Sequence, residues 1–180
     1  LWLDESYKQI QKKLDELIPG KVNLIAIRTE SDSDTVMVSS FSDTDPGSFA
    51  LYNHKTSQFI PLGQVMPWIK PEQMAYKDFV KYKARDGLTI PAYLTLPRGK
   101  KKNLPVVVLV HGGPFVPSDS WDWNPQVQFL ASRGYAVLQP EFRGTTGLGY
   151  QHERLGYKQW GLAMQDDVTD GTKWLIEKGI

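Results

Sequence analysis

The run Leu104-Pro105-Val106-Val107-Val108-Leu109-Val110-His111-Gly112-Gly113-Pro114 constrains this chain more than any other. Five consecutive aliphatic residues, four of them valine, suit a buried strand covered on both faces, as in the parallel sheet of an α/β protein. The strand leads into adjacent glycines, where backbone N–H groups approach a bound oxygen with no Cβ in the way. In open α/β sheets ligands gather beyond the carboxyl ends of strands, so this turn is where chemistry is expected. The residues alone leave two readings. The turn either donates hydrogen bonds to the oxyanion of acyl transfer or is a tight turn that merely needs two glycines.

Upstream, apolar residues Tyr7, Ile10, Leu14, Leu17 and Ile18 recur at helical spacing, and Pro19-Gly20 ends the run, predicting a short amphipathic helix over 4–18. Residues 22–28 and 35–40 read as a hairpin around the polar turn 30–34. Residues 48–52 and 58–62 form a second pair, separated from the first by Asp45-Pro46-Gly47. Four such strands resemble a propeller blade or part of a small sheet, and a lone blade leaves one face uncovered. The prolines of Met66-Pro67-Trp68-Ile69-Lys70-Pro71 mark a connector. Residues 79–84 and 90–96 then alternate around the turn Arg85-Asp86-Gly87. After the glycine turn a helix through Val127, Phe129, Leu130 and Ala131 closes at Gly134, and a strand begins at Ala136-Val137-Leu138. Strand, helix, strand is the order of a parallel crossover. A last helix over 162–178 is expected to turn Met164, Val168, Leu175 and Ile176 to one face.

Composition removes several function classes. Lys and Arg number 21 against 20 Asp and Glu, so no global field points to nucleic acid or an anionic membrane. Lys100-Lys101-Lys102 lacks interleaved aromatic residues and reads as a solvated loop. No run approaches the length of a membrane span, so the chain is expected to be soluble, in cytoplasm or periplasm. The absence of cysteine excludes disulfides, thiolate metal sites and a cysteine nucleophile. His152-Glu153 lacks the second histidine of a zinc-protease helix, and neither a metal nor another cofactor is expected.

Val110-His111-Gly112-Gly113-Pro114, then Pro140-Glu141-Phe142-Arg143-Gly144-Thr145-Thr146-Gly147-Leu148-Gly149-Tyr150, then Trp160-Gly161 and Asp166-Asp167 together resemble the catalytic domain of the prolyl oligopeptidase family of serine peptidases. The nearest branch is that of acylaminoacyl-peptidases and dipeptidyl-aminopeptidase-like enzymes. The stretch 83–97 is similar to the family's entry into its hydrolase sheet. The resemblance implies an α/β fold: the N-terminal half of an α/β-hydrolase sheet (77–180), preceded by a linker (67–76) and by antiparallel strands from the C-terminal part of a β-propeller (1–66). It implies Gly113, and after it Gly112, as oxyanion donors, with His111 orienting the turn.

Family members use a Ser-His-Asp triad whose serine sits on a Gly-x-Ser-x-Gly elbow. No such elbow occurs here. Leu1-Trp2-Leu3 begins in mid-pattern, and the nucleophile, acid and base are expected beyond Ile180, leaving the isolated chain without turnover. The partner of the intact enzyme would be a peptide. A hidden triad from Ser118 or Ser120, Asp119 or Asp122, and His111 or His152 is disfavoured, because nucleophiles sit on rigid strained turns. Trp121 and Trp123 are candidates for a substrate pocket or for interdomain packing. Arg143 is a candidate for a carboxylate pair or for substrate binding. Asp166 and Asp167 diverge by about 100° on a helix and read as N-terminal-turn charge on the last helix. The competing reading is a noncatalytic interaction module that self-associates through open sheet edges.

Overall fold

The computed structural model describes residues 2–26 and 34–180, in two compact units, Leu1–Gln73 and Met74–Ile180. Residues 27–28 of the expected first strand and 30–33 of the expected turn lie outside the described residues.

In the first unit, helix α1 (Glu5–Leu17) starts where the Asp4 carboxylate accepts the N–H groups of Ser6 and Tyr7, which otherwise lack helical partners. Ile10 and Leu14, one turn apart, are its buried residues. Four strands follow in an antiparallel meander: β1 (Val22–Ala26), β2 (Thr35–Phe41), β3 (Ser48–Asn53) and β4 (Gln58–Gln64). Alternation decides the faces, since Val36 and Val38 of β2 point inward with Ile25 and Tyr52 against Ile10 and Leu14. Leu24, Met37, Phe49 and Ile60 belong to the opposite alternation and stay exposed.

The second unit holds a mixed sheet in the order β5-β6-β8-β7. Strands β5 (Lys77–Lys83) and β6 (Thr89–Thr95) form the hairpin around Asp86-Gly87. Strand β7 (Val106–Val108) is joined through α2 (Pro125–Ser132) to its parallel neighbour β8 (Ala136–Pro140), with Val107 opposite Val137. Helix α3 (Tyr150–Arg154) and the long α4 (Ala163–Glu177) complete the unit. Tyr82, Ile90, Ala92, Leu94, Leu138 and Leu175 form its core.

Two expectations of burial are corrected. The valine strand is shorter than predicted and only half-buried, and Val110 is 44% exposed. The fully buried strand is β8, which has a neighbour on each side, whereas β7 has one neighbour among the described residues. On α4, Ile176 is 70% exposed, and Asp167, Asp170 and Gly171 share the buried face with Met164 and Leu175. The close approach at Gly171 explains this, because a Cβ there would stand 2.9 Å from the Tyr82 ring and 3.0 Å from Leu138. Among the described residues no helix is long and apolar enough to cross a membrane.

Candidate active site

Sheet pairing continues past β7 through the Leu109 N–H, which donates to Leu138 O at 2.8 Å, and the chain then leaves the sheet at His111. Gly112 and Gly113 are exposed. Gly113 has φ +126°, and a Cβ there would lie 2.9 Å from Val116 Cγ1, so both conformation and space demand glycine. Among the described residues no protein acceptor takes the N–H of Gly112 or Gly113. After the turn the loop zips to the segment following β8. Thr146 N–H donates to Val116 O at 2.9 Å, and Ser118 N–H donates to Thr146 O at 3.0 Å. An apolar hollow of about 200 Å³ adjoins the turn, lined by Val110, Pro114, Phe142, Trp160, Met164 and Val168 among others.

His111 is held from three sides. Its ring stacks on Phe142 with centroids 4.6 Å apart. Nδ1 donates to Gly112 O at 2.8 Å, the only role a carbonyl permits, and Nε2 lies 2.8 Å from Thr145 Oγ1. Glu141, with no solvent exposure, sits behind the ring with Oε2 3.8 Å from Nε2. Its Oε1 accepts the Asp119 N–H at 3.0 Å, while Oε2 has no hydrogen-bond partner. Burial, with the nearby Asp119 charge adding to it, pushes the Glu141 carboxyl up to about 8.

Arg143, also buried, meets a carboxylate on each side of its guanidinium. Asp167 Oδ2 accepts its backbone N–H at 2.9 Å and its Nε at 2.8 Å, Asp167 Oδ1 accepts Nη2 at 2.7 Å, and Asp86 pairs with Nη1 at 2.7 Å. These hydrogen bonds, those to Asp167 foremost, hold the guanidinium even further above its usual range. Arg143 thus makes the carboxylate pairs that were one of its two expected roles. Arg85 continues the network, with Nη1 2.7 Å from Asp166 and Nη2 2.9 Å from Asp170. The aspartates expected to serve only the helix terminus thus clamp α4 to the β5–β6 turn and to the segment after β8.

The tryptophans pack within the second unit. Trp121 Nε1 donates to Lys77 O at 3.1 Å, and Trp123 Nε1 donates to Met74 Sδ at 3.3 Å. Lys77, whose side chain is 2% exposed, reaches Ser120 O at 2.8 Å and Asp122 at 3.1 Å. No hidden triad assembles among the described residues. Ser120 Oγ donates to Asp122 at 2.7 Å, and His152 Nε2 donates to the carbonyls of Glu141 and Phe142 at 2.9 and 3.1 Å. No group of three or more metal-ligating side chains occurs among the described residues. Sequence reasoning missed Glu141 and Thr145 as parts of the site, although both stand in the motif after β8. The available signal was an acidic residue immediately after the carboxyl end of a strand that starts Ala136-Val137-Leu138.

Residues 121–180 match the family model described as Prolyl oligopeptidase family. Over 186 aligned residues the chain is 31% identical to dipeptidyl aminopeptidase BIII of Pseudoxanthomonas mexicana, covering 99% of this chain and 27% of that one. The chain is similar to the prolyl oligopeptidase family. Two solved structures show the same fold at lower identity. One, from an analysis of two prolyl endopeptidases, is 18% identical with a TM-score of 0.73, covering 90% of this chain and 24% of that one. The other, a Pyrococcus horikoshii acylaminoacyl peptidase, is 19% identical with a TM-score of 0.66, covering 86% and 24%. The chain thus spans about a quarter of the length of these relatives.

Proposed function

We propose that the chain supplies half of the acyl-transfer site of a serine peptidase, with Gly113 and Gly112 as backbone donors to the oxyanion and with nucleophile, acid and base outside residues 1–180. In this reading 77–180 is the N-terminal half of an α/β-hydrolase sheet, 67–76 a linker, and 1–66 the C-terminal part of a β-propeller. One observation carries the proposal. At the end of a sheet strand, exposed glycine N–H groups have no acceptor within the described residues, while the Val116, Ser118 and Asp119 N–H groups of the same loop are bonded. Donors left open at a rigid turn stabilise developing negative charge without reorganising, the usual source of the largest catalytic term. The family match and the absence of a Gly-x-Ser-x-Gly elbow support the division of labour. The exposed apolar row Leu24, Met37, Phe49 and Ile60 supports a blade that meets a neighbour.

The substrates are short or N-terminally acylated peptides, by analogy with relatives named as dipeptidyl aminopeptidase and acylaminoacyl peptidase. The test is labelling with a fluorophosphonate followed by peptide mapping. The 180-residue chain is expected to take up no label and to turn over no aminoacyl ester, and the product of the complete reading frame is expected to be labelled on an elbow serine outside it. Stoichiometric label on Ser118, Ser120 or any other serine within the chain would overturn the proposal. A second reading, a noncatalytic module pairing through its edges, is favoured by β4, which is exposed along nearly its whole length. Light scattering separates the two, since a strictly monomeric species counts against pairing.

A further inference from the structure

The hydrogen-bond inventory around His111 does not close with a single protonation state. Nδ1 must carry a proton, because it faces a carbonyl. Nε2 faces Thr145 Oγ1, and that hydroxyl lies equally 2.8 Å from Phe142 O. A hydroxyl has one proton to give. If Thr145 donates to Phe142 O, then Nε2 donates to Thr145 and the ring is an imidazolium. If Thr145 donates to Nε2, the ring is neutral, and Phe142 O keeps the Thr145 N–H at 3.1 Å and His152 Nε2 at 3.1 Å. The carboxyl facing Nε2 is Glu141, whose Oε2 is buried without a partner. A neutral Glu141 leaves its O–H without an acceptor, and an ionised one requires a cation.

We propose that Glu141, His111 and Thr145 form a proton-coupled latch on the glycine turn. In one state Glu141 is a carboxylate, His111 is doubly protonated, and the Thr145 hydroxyl donates to Phe142 O. In the other, the Nε2 proton resides on Glu141 Oε2, and the Thr145 hydroxyl has rotated to donate to Nε2. Net charge is the same in both, so pH does not shift the exchange itself and acts only by adding a proton to the coupled pair or removing one from it. Glu141 faces both arms of the loop through different oxygens: Oε1 accepts the Asp119 N–H after the turn, and Oε2 lies 3.8 Å from Nε2 of the ring bonded to Gly112 O before it. The ionised state draws these arms together, which makes Glu141 a positioning residue for the N–H groups of Gly112 and Gly113.

The other groups around the pair are engaged elsewhere. Lys77, bonded to Ser120 O and Asp122, is a second cation whose charge favours the Glu141 carboxylate, His152 donates to backbone carbonyls, and from α4 Asp167 is taken by Arg143. Tyr93, whose hydroxyl burial pushes upward with the Glu141 charge adding to it, does not supply a cation. The side chain of Asp119 adds negative charge near Glu141 and favours the protonated carboxyl.

The coupling itself is independent of catalysis, and only its effect on oxyanion binding rests on the proposed function. It is tested in the 180-residue chain by following the Glu141 carboxyl carbon and the His111 imidazole nitrogens by NMR from pH 4 to pH 10. Both nuclei are expected to report the same macroscopic steps, as two strongly interacting sites must. The Gly112, Gly113 and Asp119 amides are expected to move with them. His111→Gln, which cannot become a cation, is expected to raise the Glu141 midpoint by about one to three pH units. Glu141→Gln, which keeps the shape, is expected to abolish the shared step in the glycine amides. Independent single-step curves in the unaltered chain, an unmoved Glu141 midpoint in His111→Gln, or a glycine step that survives Glu141→Gln would each overturn the latch.

Discussion

Arg143 and Glu141 lie on the same short segment after β8, both shielded from solvent, and they meet opposite provisions for charge. Arg143 has a carboxylate on each side of its guanidinium and a backbone N–H bonded to the same Asp167. Glu141 has one N–H from Asp119, an unpartnered oxygen, and a histidine 3.8 Å away. The difference separates fastening from function. The first cluster sets a carboxylate against each side of its buried cation and joins the β5–β6 turn, the segment after β8 and α4. The second retains capacity directly behind the turn where an oxyanion would bind. A buried group left incompletely satisfied stores the option of changing state.

Breaking the fastening is expected to have the largest effect. Asp167→Ala leaves the Arg143 guanidinium and N–H without their main acceptor, a loss of about 3–5 kcal/mol of stability by analogy with broken buried pairs. Urea unfolding followed by tryptophan fluorescence measures it. A loss below about 1 kcal/mol would show that water or Asp86 replaces Asp167 readily.

Next comes pH dependence, where the clusters are expected to act with opposite sign. Burial raises Glu141 from 4.5 to about 8. The folded chain therefore holds that proton more tightly than the unfolded chain. Its contribution is complete below pH 4.5 and is lost as pH rises to about 8, with a slope of at most about 1.4 kcal/mol per pH unit. Glu141→Gln is expected to flatten this limb and to make the chain relatively more stable at alkaline pH. Asp86 is lowered chiefly by its hydrogen bond with Arg143, and Asp170 chiefly by that with Arg85. Their contributions are complete above the ordinary 3.8 and disappear as pH falls through the depressed values. Asp170→Asn is expected to weaken that acid limb and to cost less than Asp167→Ala, because the Arg85 side chain is 47% exposed and keeps its water. Thermal unfolding at closely spaced pH values reads both limbs.

The smallest effect sharpens the contrast from outside it. Lys8 and Glu5 form an exposed pair on α1, and Lys8→Ala is expected to change stability by no more than about 0.5 kcal/mol in the same unfolding assay.

The sequence was legible wherever local pattern decides structure. The helix spacing of Ile10 and Leu14, the alternation of Val36 and Val38, and the turn at Asp86-Gly87 all depend on neighbours within a few residues. Legibility failed where distant chain decides burial. The valines of β7 announce a covered strand, yet their exposure depends on how many strands flank them. The buried face of α4 could not be read from its own apolar residues, because Asp170 finds Arg85 at a separation of 85 positions and Gly171 makes room for Tyr82. At the site, the glycine turn was readable from its residue types. Glu141 and Thr145 were not, because their roles arise only when the segment after β8 is brought beneath His111.

The central claim is that Gly113 and Gly112 present donors to an oxyanion. It is tested most directly by the amide proton shifts of these glycines in the product of the complete reading frame before and after treatment with a phosphonate that labels a serine. The Gly113 proton is expected to move strongly downfield as it takes up the phosphonyl oxygen, with Gly112 moving less. If both remain in place while the serine is fully labelled, the oxyanion is bound elsewhere and the glycine turn is only a turn.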